Sequence, residues 1–364
     1  MSIILFIIIL AILILAHELG HFIAAKRAGV RVDEFGIGFP PRLWSKKVGE
    51  TVYSVNAFPV GGFVKIFGED PNAESQRGKD ASRSLTHKSK LVQAWVISAG
   101  VVFNLLFAWL LLSVGFMVGM PYSVDDSVHG SNVQNPVLTI TQVLPKSPAE
   151  TAGLKGGDAI VALSSGNDSL NNPRVETTQK FIAAHDEVTL TYKRGGEEKT
   201  TLVRPHDGLV DGRRAIGISM DIVGVLKLSP YEAFTLGVTT TLSLTQATVI
   251  GLFDFFKNMF IGQTDLSGVA GPVGLVGVVS DAGALGFMHL ISLTALISIN
   301  LAVINLLPFP ALDGGRLFFI LIEWIKRSPI KPEIANAANG IGFLLLIAIM
   351  TFVTFHDVVN IIRG

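Results

Sequence analysis

Three side chains near the start of the chain have the types and spacing of a metal site. His17, Glu18 and His21 form an HExxH pattern. Residues four apart on a helix share a face, so the two imidazoles point the same way and can hold one Zn²⁺. Glu18 follows the first of them and can act as general base towards a metal-activated water. In a soluble helix this pattern arises easily by chance among surface polar residues. Here it interrupts an apolar run. Ile3 to Ala16 contains no polar residue, and the run resumes to Ala25. Ionisable groups in a membrane helix are costly to bury and mark function by default. The chain has no cysteine, so any further ligand must be His, Asp or Glu.

The elements that must position these groups follow from composition. Of 364 residues, 49% are hydrophobic and 16% charged. That is too apolar for an ordinary soluble protein and predicts a polytopic α-helical membrane protein with one soluble insert. The formal net charge is zero, which gives no electrostatic argument for nucleic acid as a partner. Ser2 to about Ala25 is long enough to span a bilayer. It lacks a basic leader and its apolar run exceeds that of a signal peptide, so we read it as a retained span. Twelve Lys or Arg fall between Lys26 and Lys90, against none before residue 26. The positive-inside rule places that loop in the cytoplasm and the N-terminus outside. His17 then lies in the cytoplasmic half of the first span.

Within the loop, Thr51 to Phe67 is rich in strand formers, punctuated by Pro59 and Gly61-Gly62, and reads as a β-hairpin too apolar for open cytoplasm. A hairpin beside membrane helices is tolerated where protein or a water cavity lines it. Glu69 to Lys90 is polar and reads as a flexible stretch or surface helix. Leu91 to about Met120 is the second span. Residues 123–222 change character: alternating segments at Val137–Val143, Val188–Tyr192 and Thr200–Val203, with Gly-rich turns, predict a compact extracytoplasmic domain. Pro230 to Phe256 is apolar but rich in Thr and Ser. We read it as an amphipathic helix in the outer interface, followed by a Gly-rich stretch from Leu266 to Gly286. Met288 to Leu307 and about Ala335 to Phe355 are the third and fourth spans. The organisation expected is a first membrane half (1–122), the soluble domain (123–222), an interfacial segment (223–286) and a second membrane half (287–364).

The third span runs into Asn305-Leu306-Leu307-Pro308-Phe309-Pro310-Ala311-Leu312-Asp313-Gly314-Gly315. Entering from outside, it delivers Asp313 to the cytoplasmic half, beside His17 and His21. The prolines and glycines break the helix, as is allowed where a cavity is lined. Asp313 is therefore the candidate third ligand, its alternative role being a helix N-cap. Two His and one carboxylate leave a fourth position open for water or substrate. The chemistry is attack of activated water on a polarised carbonyl, and within a membrane that carbonyl is a peptide bond. Asn300 and Asn305 are candidates to stabilise an oxyanion or orient the substrate backbone, or else form interhelical hydrogen bonds. Asn104 in the second span supports the site or packs helices. The hairpin offers an edge on which an extended substrate can add as a strand, with Gly61, Gly62 and Val64 at that edge.

These residues carry a family resemblance. His17-Glu18-Leu19-Gly20-His21, Asn305-Leu306-Leu307-Pro308 with Leu312-Asp313-Gly314-Gly315, and Gly61-Gly62-Phe63-Val64-Lys65 resemble the site-2 proteases, and more narrowly the bacterial regulator-of-sigma-E protease branch. The resemblance runs from residue 1 to the C-terminus. It implies a four-span intramembrane zinc metalloprotease of the bacterial cytoplasmic (inner) membrane, with His17, His21 and Asp313 as ligands and Glu18 as base. It implies that the soluble insert is an extracytoplasmic PDZ domain, since Ser147 to Val161 looks like the family's PDZ segment, and that the hairpin is membrane-associated. The implied partners are the lipid bilayer, transmembrane substrates such as anti-sigma factors or remnant signal peptides, and a peptide or upstream-cleaved substrate terminus on the PDZ domain. The chain has room for one PDZ domain where enterobacterial members carry two, and Val101 replaces the proline usual after Ala99-Gly100. A rival of another class, a catalytically idle PDZ membrane scaffold, leaves the His-Glu-His-Asp set unexplained.

Overall fold

A computed structural model describes residues 2–69, 78–124, 133–210, 213–262 and 271–363. The predicted polar stretch Glu69–Lys90 and Gly-rich stretch Leu266–Gly286 lie partly outside those residues. The helices, in chain order, are α1 (Ser2–Arg27), α2 (Lys90–Val118), α3 (Pro148–Thr151), α4 (Val175–Ala184), α5 (Pro230–Phe260), α6 (Pro272–Leu285), α7 (Phe287–Leu306), α8 (Asp313–Lys326) and α9 (Pro332–Arg363). Five of these, α1, α2, α5, α7 and α9, are long and apolar enough to cross a membrane. Four sit where the sequence placed spans. The fifth, α5, is the segment read as interfacial. The Gly-rich stretch contains α6; Gly271 N just before it and Gly274 N in its first turn donate to the Asp357 carboxylate at 3.2 and 2.8 Å.

The chain divides into two compact units. The first comprises Met1–Leu112, Phe234–Ser280 and Leu293–Gly364, and the second Ser113–Ala233 with Asp281–Ser292. In the first unit, β1 (Val32–Val48) and β2 (Thr51–Ile66) form the predicted sheet, but with a different partner and turn. The reading placed both arms within Thr51–Phe67. Instead the chain turns at Gly49-Glu50, and Thr51–Ile66 pairs with the preceding Val32–Val48. Gly36, Gly38, Pro40 and Pro41 hid that strand, because such residues usually end one. Both strands bend midway, so the sheet has four segments. Phe35 pairs with Val64 on one side and Tyr53 on the other, and Trp44 pairs with Val55. The order is therefore 62–66, 32–37, 52–55, 44–48. Gly61, at φ +124°, supplies the bend that a side chain would resist.

The sheet is fastened to the C-terminal end of α1 and the N-terminal end of α2 by a shared core of Ala24, Ala25, Val30, Val32, Val64, Ile66, Leu85 and Val96. Leu85 and Ser84 are buried, so this part of the polar stretch is fixed and not flexible. At the sheet turn, Glu50 accepts from Lys26 (2.6 Å) and Arg83 (2.8 Å), and Arg83 and Lys26 push its carboxyl down to about 2. Gly20 lets α1 lie against α2: a Cβ there would sit 2.8 Å from the Ala99 carbonyl carbon.

The second unit is the β-rich insert. Its strands are β3 (Met120–Ser123), β4 (Val133–Val143), β5 (Ala159–Ser165), β6 (Asp168–Asn171), β7 (Val188–Arg194), β8 (Glu197–Val203), β9 (His206–Val210), β10 (Arg213–Ala215) and β11 (Ile218–Leu226), and the main sheet has the order β3-β11-β4-β5-β7-β8. Alternation in these strands buries Leu138, Ile140, Ile160, Leu163, Val188 and Leu190 in one core. The Ser147-Pro148-Ala149-Glu150 segment caps α3, Ser147 Oγ accepting from Glu150 N at 3.2 Å. Asp158 is fully buried and held by a two-pronged Arg194, with Nε–Oδ1 and Nη2–Oδ2 both 2.6 Å, plus the Lys155 amide at 2.8 Å. Removing one partner of such a pair leaves a buried uncompensated charge. Arg194→Met is expected to destabilise this unit by about 3–5 kcal/mol, read as faster hydrogen exchange of the β5 and β7 amides. Unchanged protection would show that the pair is not part of the fold's stability.

Candidate metal centre

Helix α1 buries His17 and His21 one turn apart, with their Nε2 atoms 3.1 Å from each other. Asp313 Oδ2 lies 3.0 Å from His17 Nε2 and 3.3 Å from His21 Nε2. Asp313 is the first residue of α8. The N-cap is Leu312, so the capping alternative does not describe this carboxylate. Its Oδ2 is buried and has no hydrogen-bond partner among the described residues. Three lone-pair donors thus face one point, and a cation there satisfies all of them. With bonds of about 2.0–2.2 Å, ligand atoms around a tetrahedral zinc sit roughly 3.3–3.5 Å apart, close to the spacing found. Among the described residues this is the group of three His, Asp or Glu able to share a metal.

Backbone and side-chain partners set the tautomers. His21 Nδ1–H donates to Val96 O at 2.9 Å, which leaves the Nε2 lone pair for a metal. On His17, Nδ1 lies 3.3 Å from the Asn104 amide nitrogen, while Asn104 Oδ1 is buried without a partner among the described residues. A half-turn of that amide lets Oδ1 accept from Nδ1–H and leaves His17 Nε2 free to ligate. Asn104 is thus brought to the site as the residue that orients His17. Its backbone carbonyl accepts from Ser298 Oγ of α7 at 2.8 Å.

Glu18 shares a cavity of about 470 Å³ with the three donors. The cavity is also lined by Phe63, Val64 and Ile66 of β2. The Val64 N–H faces the Glu18 carboxylate, and a Cβ on Gly62 would lie 3.7 Å from Glu18 Cγ. This strand pairs with β1 on one side; on its other edge Gly62 and Val64 approach Glu18, while Gly61 sits at the bend against Phe39. Asn300 and Asn305 are not brought to the cavity. Asn300 Oδ1 accepts from Thr248 Oγ1 of α5 at 3.1 Å, the interhelical alternative.

Two features escaped sequence reasoning. Gly100 looks like an ordinary small packing residue, yet a Cβ there would meet His17 Cε1 at 2.6 Å and also strike His21 Nε2. A lone glycine in an apolar span was the available signal. The second is the loop before Asp313. Ala311 has φ +74°, uncommon for a residue with a side chain, and its N–H donates to Asn339 Oδ1 of α9 at 3.2 Å. Any side chain at Gly342 of α9 would run into Pro310 in the same loop. Gly314 and Gly315 tuck under the carbonyls of Leu306, Leu307 and Phe309.

The sequence profile of peptidase family M50 matches residues 5–349. The chain is 35% identical to a protein of Clostridium perfringens over 95% of each chain. It is 33% identical to the membrane metalloprotease ARASP, chloroplastic, of Arabidopsis thaliana, over 97% of this chain and 78% of that one. It is 29% identical to the zinc metalloprotease RasP of Geobacillus kaustophilus, over 98% and 97%.

Replacing His17, His21 or Asp313 by Ala is expected to abolish zinc binding, whereas Glu18→Gln keeps the metal and loses activity. Gly100→Ala, which alters no donor, is also expected to lose zinc because it occupies the imidazoles' space. Metal content per purified protein reads all five. Full zinc in Asp313→Ala would mean another ligand completes the site.

Proposed function

The chain belongs to peptidase family M50, a family of zinc metalloproteases, and we propose that it works within the membrane on peptide bonds in membrane-spanning segments of other proteins. The observation that carries this reading is the convergence of His17, His21 and Asp313 between apolar helices, in a cavity bounded by an open strand edge. A zinc ion held by these three side chains supplies Lewis acidity, polarising a carbonyl and bringing a water's pKa towards about 7. Glu18 takes the proton of the attacking water and returns it to the leaving amide nitrogen. Val96 and Asn104 hold the imidazoles in the ligating tautomer throughout. Regulated intramembrane proteolysis is the process this fits, with anti-sigma factors or remnant signal peptides as substrate classes.

The topology we propose has four crossings in the bacterial cytoplasmic membrane. Ser298 meets Asn104. Leu306 lies eight residues beyond Ser298 and Val96 eight before Asn104, each roughly 12 Å along its helix. Asp313, just after Leu306, faces His21, which is bonded to Val96. This supports α7 running antiparallel to α2. A helix entering where α2 leaves argues against a single crossing by α5, which we read as making no net crossing. The basic loop Lys26–Lys90 sets that side as extracytoplasmic. The β-rich insert is then outside, and we read it as a PDZ domain. Residues 218–221 of β11 pair with β4 on one side, and beside them a groove of about 160 Å³ contains Gln179, Ile182, Gly217 and Met220. That groove suits an extended peptide such as the terminus left by an upstream cut.

Reporter fusions at Gly49 and Arg327 are expected to read cytoplasmic, and those at Gly166 and Gly262 extracytoplasmic. A cytoplasmic signal at Gly262 would make α5 a crossing.

A helical substrate hides its backbone, and hydrolysis needs it extended and hydrogen-bonded to something other than lipid. The Gly61–Ile66 edge offers those partners. Val64→Pro is expected to slow cleavage of a stable transmembrane helix at least about tenfold (about 1.4 kcal/mol) with zinc unchanged. Substrates carrying a helix breaker near the scissile bond should suffer less. Equal loss on both substrates would assign the effect to Glu18, which Val64 N–H faces, and remove the strand role.

A further inference from the structure

One ion pair in the metal cavity has no part in the chemistry described above. Arg316 lies one turn after Asp313 on α8, so both side chains face the same way. It lines the metal cavity together with Phe63, Val64 and Ile66. Its Nη1 is paired with Glu69 Oε1, three residues beyond the end of the open strand edge. The pair also borders a neighbouring cavity of about 140 Å³ and so forms part of the wall between the two.

Glu69 is not a mobile surface acid. Its N–H closes a turn onto Ile66 O at 3.1 Å. Gly68, at φ +81°, packs against Ser84 and Leu85. Phe67 is buried, its N–H donates to Arg31 O and its carbonyl accepts from Leu85 N, both at 2.9 Å, and its ring lies 3.7 Å under the Arg31 guanidinium. The carboxylate is therefore fixed relative to the strand that precedes it. Helix α8 is fixed at its other end, where Glu323 pairs with Lys90 and accepts from Ile330 N at 2.8 Å. Between these anchors, Glu69–Arg316 joins the end of the open edge to the helix that carries Asp313.

We propose that Glu69 and Arg316 are a positioning pair that sets the register between the substrate strand and the metal, and so selects the peptide bond that is cut. This rests on the reading of Gly61–Ile66 as the substrate-binding edge. Strand registry moves in steps of roughly 3.3 Å per residue, and a displacement of about 1 Å at a reacting atom can cost on the order of 100-fold in rate. Loosening the link should leave binding largely intact while lowering turnover and spreading the cut over adjacent bonds.

The test uses the full-length enzyme and a transmembrane substrate, with products identified by mass spectrometry. Glu69→Gln, Arg316→Gln and the double variant are compared at equal zinc content, with a photo-crosslinking residue at Phe63 to report substrate on the edge. We expect cleavage one or two bonds from the wild-type position, kcat lower by about tenfold or more with KM changed less than threefold, and a double variant no worse than the poorer single. Arg316→Lys, which keeps a cation for Glu69, should hold the wild-type bond. If Arg316→Gln loses zinc, Glu69→Gln, which leaves α8 untouched, carries the test. Unchanged cleavage positions with the crosslink intact would overturn the pair's role and leave the edge reading standing, as would losses that multiply in the double variant. Absence of the crosslink in otherwise wild-type enzyme would remove the edge reading and this proposal with it.

Discussion

An imidazole pair and a carboxylate set among apolar helices impose a strict requirement, because each buried polar atom left without a partner costs about 1–3 kcal/mol. Much of the membrane unit can be traced to that requirement. His21 needs an acceptor at Nδ1, so the Val96 carbonyl of α2 must lie beside α1. His17 needs one too, so Asn104 sits two turns further along the same helix. Helices can come this close only without side chains between them, which Gly20 and Gly100 provide. Ser298 then ties α7 to the Asn104 backbone, and the break after α7 turns the Asp313 carboxylate back to the imidazoles.

The four-segment sheet answers a second form of the same constraint. Backbone groups near lipid must be paired; the two inner segments pair on both sides, while the outer edge of 62–66 lies beside the cavity. A strand edge is usually a liability, since it invites pairing with other chains. Here the edge lies beside Glu18, where the proposed strand addition would use it.

His17, Glu18, His21 and Asp313 were legible in sequence because ionisable residues stand out against apolar spans, and because their spacing and helix direction constrain one another. Asn104 was visible as a polar residue in a span, but only geometry separates orienting a histidine from packing helices, and the same geometry turns Asn300 towards Thr248. The partner strand Val32–Val48 was hidden by its glycines and prolines, which serve to bend a continuous strand rather than to end it. Gly100 was invisible as a functional residue since its contribution is the volume it leaves to others. The Glu69–Arg316 pair joins residues far apart in the chain, and no local pattern announces it.

The loop that carries Asp313 also gives α9 a mechanical part. A left-handed Ala311 stores about 1–3 kcal/mol of backbone strain, held by the Asn339 amide and by Gly342 closing on Pro310. The loop is thus a loaded spring, with α9 as the catch. The catch joins α9 to the segment before the Asp313 carboxylate through backbone and packing contacts, without passing through a metal donor. The C-terminal helix supplies no metal donor among the described residues, yet Asn339 and Gly342 brace the loop that carries the third one.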